Sequence, residues 1–236
     1  MTPPIVLLHA FPFDGSFWDP VRAHLGGYEI SAPDLVAPDV TGRLPTSIDE
    51  MADGVASLID PNGPALVAGC SMGGYVALSL ALRHPSRVAA LALIDTRAEA
   101  DTADARAGRE ASKEQIRRLG VSAFVACLIP RLVGVGAADC LPGALALASR
   151  QPADRLIAAL DALGSRPERS DQLHEITART LVIVGDDDTV TPIDAARRIR
   201  AGISGATLHV VPEAGHLTPI EQPEAVAGLI RQFGVS

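Results

Sequence analysis

The chain has 236 residues, 47% of them hydrophobic but only 3% aromatic, with a formal net charge of -8. That length suits one domain with a modest insertion, and its core must rest on Ala, Val, Leu and Ile. An acidic chain without a basic run has no electrostatic reason to seek nucleic acid or an anionic membrane surface, and with Lys113 as its one lysine most lysine-based chemistry is closed off.

Taken in chain order, short apolar runs at residues 5–9, 28–31, 65–69, 88–94, 180–184 and 207–211 predict strands. The runs are continuous rather than alternating, as in strands covered on both faces. Helical spacing fills the intervals at residues 47–59, 72–82, 192–203 and 223–233, the last two opening with Pro192 and Pro223 at a first helical turn. Strands alternating with helices predict an α/β fold with a mainly parallel sheet. From Arg97 to Arg179 no strand is expected. This stretch is long enough for about four helices of ordinary length. It reads as a helical cap insertion, residues 97–179, over a core made of residues 1–96 and 180–236.

The sparse, odd set Cys70, Cys127 and Cys140 has no metal or CxxC spacing and fits a reducing compartment. The start, Met1 to Phe11, lacks a charged leader region, and its apolar run is too short to span a membrane. The expectation is a cytoplasmic protein.

The chemistry is signalled first by Gly69-Cys70-Ser71-Met72-Gly73, a G-x-S-x-G segment between a predicted strand and a predicted helix. That is the setting of a nucleophile elbow, in which the turn is too sharp for side chains at the two glycines. The helix N-terminus beside Ser71 favours developing negative charge. Adjacent Cys70 is expected to leave the turn in another direction and pack inward. Serine needs a base, and histidine is the usual one. Of the six histidines, His216 stands in a loop after the last strand, where it can reach the sheet's carboxyl edge. His209 lies inside that strand, and His84 precedes Pro85 at a helix end. The orienting acid is expected at another strand end, in Asp186-Asp187-Asp188. Spacing from Gly185 and to Pro192 favours Asp188, with Asp95 as the second candidate.

These residues resemble the α/β-hydrolase superfamily. The order Ser71, Asp188, His216 is that family's order, Gly185-x-x-Asp188-x-x-x-Pro192 looks like its acid loop, and Gly215-His216 like its histidine loop. His9-Ala10-Phe11-Pro12 is similar to its stretch after an early strand. By that match the backbone N–H groups of Phe11 and Met72 form an oxyanion hole. The likeness within the superfamily is to compact esterases and 3-oxoadipate enol-lactonase-like enzymes, on residues 9–18, 93–99 and 123–132. It implies cleavage of a small carboxylic ester or lactone through an acyl-enzyme, with no metal and no organic cofactor. Thioesterase, C–C hydrolase and perhydrolase chemistry would use the same three residues. A non-enzymatic ligand-binding receptor of the same fold also stays open. Phe13, Trp18, Phe124 and Leu128 are candidate pocket residues, with burial under the first loop or within the cap as the alternative. The oligomeric state is not legible.

Overall fold

In a computed structural model of the chain, residues 3–234 are described. The outer ends of the expected division, residues 1–2 and 235–236, and the first residues of the N-terminal stretch lie outside them. The order is β1 (Ile5–Leu8), α1 (Asp19–Arg22), β2 (Ile30–Ser31), α2 (Ile48–Leu58), β3 (Ala65–Cys70), α3 (Met72–Arg83) and β4 (Val88–Ile94). It continues with α4 (Ala103–Leu128), α5 (Leu141–Ser149), α6 (Ala153–Gly164), β5 (Arg179–Gly185), α7 (Ile193–Gly202), β6 (Thr207–Val211), α8 (Thr218–Glu221) and α9 (Pro223–Gly234).

The strands form one six-stranded sheet in the order β2-β1-β3-β4-β5-β6, with parallel pairing throughout. β1 and β3 are buried at every position, so both faces of the sheet are covered. α3 packs on β1, β3 and β4 and against α2, whose buried stripe is Ile48, Met51, Ala52, Val55 and Ala56. The start of α2 is fixed by Ser47, which accepts from the Glu50 N–H at 3.1 Å, while Glu50 reaches back to the Thr46 N–H at 2.7 Å.

Register sets the position of the site. Leu8 pairs with Gly69, Cys70 with Ile94, Ile94 with Ile183, and Gly185 with Val211. The carboxyl ends of β1, β3, β4, β5 and β6 therefore align along one edge. The chain order also reverses there, since β1 lies between β2 and β3. Such a switch point is where open α/β sheets bind ligands.

Three expectations are corrected. The run at 207–211 forms the edge strand β6, with Thr207, His209 and Val210 exposed, because a continuous apolar run does not tell a central strand from an edge one. Pro192 is the residue before α7 rather than in its first turn, in extended conformation at φ -56 and ψ 158. The run at 28–31 shortens to Ile30–Ser31, although the Glu29 carbonyl still accepts from the Ile5 N–H.

Between β4 and β5 the chain is helical. α4 is broken at Gly120, whose φ of 81 and ψ of 168 lie outside the helical range. Its segments pack on α5 and α6. Among the described residues no helix is long and apolar enough to cross a membrane.

Candidate active site

The turn after β3 places Ser71 at φ 51 and ψ -111, a left-handed backbone that a non-glycine residue rarely adopts. Its two flanking glycines have no substitute. A Cβ on Gly69 would come within 2.1 Å of the Gly73 carbonyl oxygen, and one on Gly73 within 2.0 Å of the Leu8 carbonyl oxygen. The turn is pinned by the Ser71 N–H donating to the Ile94 carbonyl at 2.9 Å and by Thr96 Oγ1 donating to the Ser71 carbonyl at 2.9 Å. Cys70 faces inward with no exposure, and its thiol is pushed well above the ordinary range by burial and by the charges of Asp95 and Asp188.

The structure brings Ser71, His216 and Asp188 together. Ser71 Oγ lies 2.9 Å from His216 Nε2, and His216 Nδ1 lies 2.9 Å from Asp188 Oδ2. A carboxylate only accepts, so Nδ1 carries the proton and Nε2 is left free to accept from the Ser71 hydroxyl. Asp188 is 5% exposed and its remaining lone pairs are taken: Oδ1 accepts from the Val190 and Thr191 N–H groups at 2.8 and 2.9 Å, and Oδ2 accepts from Thr191 Oγ1 at 2.6 Å. Burial alone would raise the Asp188 carboxyl, but the bond and charge of His216 together with Thr191 bring it down to about 2. Burial pulls His216 the other way, against its charged form, yet the bond to Asp188 and the carboxylates of Asp188 and Asp95 hold it above the ordinary imidazole value.

The three consecutive aspartates divide their tasks. Asp188 faces the imidazole, whereas Asp187 Oδ2 accepts from the Val135 N–H at 2.9 Å and Asp186 Oδ1 from the Ala214 N–H at 3.4 Å. Asp186 and Asp187 are exposed. The second acid candidate, Asp95, is fully buried but directs its carboxylate at Gly185, Thr218 and Cys70. His84 instead meets Asp53 at 2.6 Å near the surface, and His209 lies on the exposed edge strand.

Around the reacting atoms, Met72 opens α3, so its N–H has no intrahelical partner, and the Phe11 N–H takes part in none of the turn and loop bonds among the described residues. The segment before Phe11 is held by His9, which is fully buried: its Nδ1 lies 3.0 Å from the Ala10 carbonyl, and its Nε2 accepts from the Leu35 N–H at 2.9 Å. Phe124 of α4 approaches Phe11 with ring centroids 6.1 Å apart. Leu128 is partly buried on the same helix. Phe13 stacks on Phe17 at 5.2 Å, and Trp18 is fully buried edge-on to Phe17. Among the described residues no cluster of His, Cys, Asp or Glu could hold a metal ion.

Glu221 was not legible as part of this site. Its Oε1 accepts from the Leu217 N–H at 2.7 Å, and its Oε2 accepts from the Gly215 and Gly134 N–H groups, both at 2.8 Å. One carboxylate thus clasps the backbone on both sides of His216 and ties it to the segment after α4. The His216 N–H adds a bond to the Leu132 carbonyl at 2.8 Å. A sequence signal existed, an acidic residue five positions after the histidine, but it acquires meaning only once α8 folds it back.

Comparison with known proteins agrees with this architecture. A pimeloyl-[acyl-carrier protein] methyl ester esterase of Neisseria meningitidis is 30% identical over 97% of this chain and 92% of its own length. The solved structure of a thermophilic esterase from Thermogutta terrifontis, with malate bound, superposes with a TM-score of 0.89 at 31% identity, over 98% of this chain and 88% of that one. The enol-lactonase from Burkholderia xenovorans has the same fold, with a TM-score of 0.87 at 22% identity over 100% and 92% of the two chains. The pattern of the alpha/beta hydrolase family matches residues 5–229, and the chain belongs to that family.

Proposed function

We propose that the chain is a serine hydrolase in which Ser71 is the nucleophile, His216 the general base and acid, and Asp188 the residue that orients and charges the imidazole. The observation that carries this reading is the unbroken line of contacts from hydroxyl to imidazole to carboxylate, each 2.9 Å, at the carboxyl edge of the sheet. Membership of the family and relatives named as esterases support an ester-cleaving enzyme. The preferred substrate class is a small carboxylic ester or a lactone.

The reaction follows from the geometry. Ser71 Oγ attacks the substrate carbonyl carbon while His216 Nε2 takes its proton. The negative charge moves to the former carbonyl oxygen, where the Phe11 and Met72 N–H groups receive it. Preorganised donors of this kind are each worth about 10²–10³ in rate. His216 returns the proton to the leaving oxygen, the ester C–O bond breaks, and an acyl group remains on Ser71. In a lactone the released hydroxyl stays tethered to that acyl group. Water then attacks the acyl carbon with His216 again as base, the bond from that carbon to Ser71 Oγ breaks, His216 returns the proton to Oγ, and the carboxylic acid departs. The imidazolium formed at each step lies against the Asp188 carboxylate, which is already ionised.

Residues 97–179 act in this reading as a cap over a core of residues 1–96 and 180–236. Phe124 and Leu128 line the acyl side with Phe13, and Trp18 supports that wall from beneath. A fluorophosphonate probe tests the assignment. Native protein labels at Ser71 and turns over activated esters, and folded Ser71→Ala does neither. Persisting turnover in Ser71→Ala would falsify it, and a native protein that never labels would favour a binding role. Parallel assays of short esters, lactones and thioesters define the bond cleaved.

A further inference from the structure

Asp95, the residue after β4, lies in the left-handed region at φ 46 with no exposure. Its Oδ1 accepts from the Gly185 N–H at 3.1 Å and from Thr218 Oγ1 at 2.9 Å. Its Oδ2 accepts from the Thr218 N–H at 3.0 Å, with Cys70 Sγ at 3.8 Å. Its own N–H donates to the Ile183 carbonyl at 3.0 Å. Each partner stands within three residues of one member of the proposed triad in the chain: Cys70 precedes Ser71, Gly185 opens the turn to Asp188, and Thr218 is two residues past His216. A buried carboxylate beside a second one costs several kcal/mol unless its lone pairs are well used. A neutral side chain would avoid that cost but could not accept from all of these donors at once.

We propose that Asp95 is a positioning residue for acyl transfer, a single carboxylate that gathers the three segments bearing Ser71, Asp188 and His216 and holds their reacting atoms in line. The proposal rests on the triad reading above. Asp95 does not orient the imidazole directly, since Nδ1 is occupied by Asp188. Its surroundings are electrostatically closed. The charged groups acting on it are Asp188 and His216; Glu221 on α8 acts with Asp95 and Asp188 on the neighbouring Cys70, and Arg97 acts with Asp95 and Asp188 on His216. Burial and the Asp188 charge raise the Asp95 carboxyl to about 7, opposed by His216 and by the bonds from Thr218 and Gly185. In its ionised form Asp95 raises His216, so its neutralisation moves the imidazole downward.

Asp95→Asn keeps the shape and removes the charge and part of the accepting capacity. With fold checked by thermal melting, kcat on an activated ester should fall about 10- to 100-fold, as for a small misplacement of reacting groups. KM should stay within about twofold, because ground-state binding is untouched. The acid limb of kcat/KM should move to lower pH. Thr218→Val, which deletes one donor to the carboxylate, should lower kcat about tenfold with the same KM, and it decides the matter where Asp95→Asn fails to fold. A kcat within about twofold of native in a folded variant overturns the proposal. So does a loss of kcat that merely follows a lowered melting temperature with the acid limb unmoved. Native protein whose Ser71 does not label marks failure of the triad reading instead, before any variant is compared.

Discussion

The carboxyl edge of the sheet and the helices between β4 and β5 satisfy buried polar groups in opposite ways. At the edge, carboxylates accept mainly from backbone N–H groups: Asp188 from Val190 and Thr191, Glu221 from Gly215, Leu217 and Gly134, and Asp95 from Gly185 and Thr218. In the helical region the ties are between side chains far apart in sequence: Arg166 with Asp101 at 2.5 Å, Lys113 with Asp161 at 2.5 Å, Gln151 with Asp14 at 2.7 Å, and Arg155 with Asp34. Backbone donors cannot change rotamer, so the edge has one geometry. Side-chain ties depend on rotamers, so the geometry of the helical region is less strictly set by the backbone. In the proposed reading acyl transfer needs the first, and a cap that selects substrate tolerates the second.

The largest expected effect breaks the edge at its charge. Asp188→Asn keeps the shape but loses the acceptor that selects the Nδ1–H tautomer, and kcat should fall about 10⁴-fold with little change in fold. Its pH dependence is equally specific. The Asp188 carboxyl is held at about 2 against an ordinary 3.8, so its ionised form contributes stability that is complete above about pH 4 and is lost as pH falls toward 2. Asp95, raised to about 7, has the opposite sign: the native state takes up a proton there that the unfolded chain does not, so this group weakens the fold as pH rises from about 4 to 7. Melting curves of native protein and Asp188→Asn between pH 2 and 8 separate the two. A variant that loses stability on acidification as steeply as native protein would contradict the assignment to Asp188.

How much of this was legible in the sequence follows the same division. Ser71, Asp188 and His216 stood out because the edge is built from turns, and turns constrain residue types locally: two glycines that no side chain can replace, an aspartate at a fixed spacing from Gly185, a histidine after the last strand. The roles of Asp95 and Glu221 were not legible. Asp95 meets groups on β3, β5 and α8, and Glu221 reaches its loop and Gly134 only after α8 turns back, so the signal exists only in three dimensions. The helical nature of residues 97–179 could be read from the absence of strand patterns, but its anchoring pairs could not. Arg166 and Asp101 are 65 positions apart and nothing local marks either as buried.

That buried pair gives the next effect. Arg166 and Asp101 are each 4% exposed, and Arg166 also donates to the Glu99 and Leu163 carbonyls and sits 4.4 Å over the Tyr75 ring. Arg166→Met removes the side-chain donor to the Glu99 and Leu163 carbonyls, the latter keeping its backbone donors, and leaves Asp101 with Arg109 alone. The cost should be about 3 kcal/mol, at the low end for a broken buried pair because one partner remains. The insertion is tied to the edge through Leu132, Gly134 and Val135 rather than through this pair, so if Arg166 braces only the helices, fluorophosphonate labelling of Ser71 survives while KM for bulky esters rises. A collapse of labelling together with stability would mean that the helices also hold the edge. Gly73→Ala probes the converse. Its Cβ meets backbone rather than a yielding side chain, so about 3 kcal/mol and the reactive turn should be lost together.

The smallest effect sharpens the comparison most, because it concerns a conspicuous residue. Lys113 is the one lysine in the chain, and its side chain is 8% exposed with Nζ 2.5 Å from Asp161 and 2.7 Å from Glu110. Those partners are 50% and 70% exposed, so water already screens the charges it meets. Its aliphatic stem, packed between α4 and α6, supplies most of what the residue contributes. Lys113→Met retains that stem and should change stability by less than about 1 kcal/mol, with kcat and KM unaltered. Lys113→Ala removes the stem as well and should cost more than Lys113→Met. A reversed order, with the isosteric methionine the worse of the two, would show that the helical region depends on its ion pairs as strictly as the edge depends on its buried carboxylates.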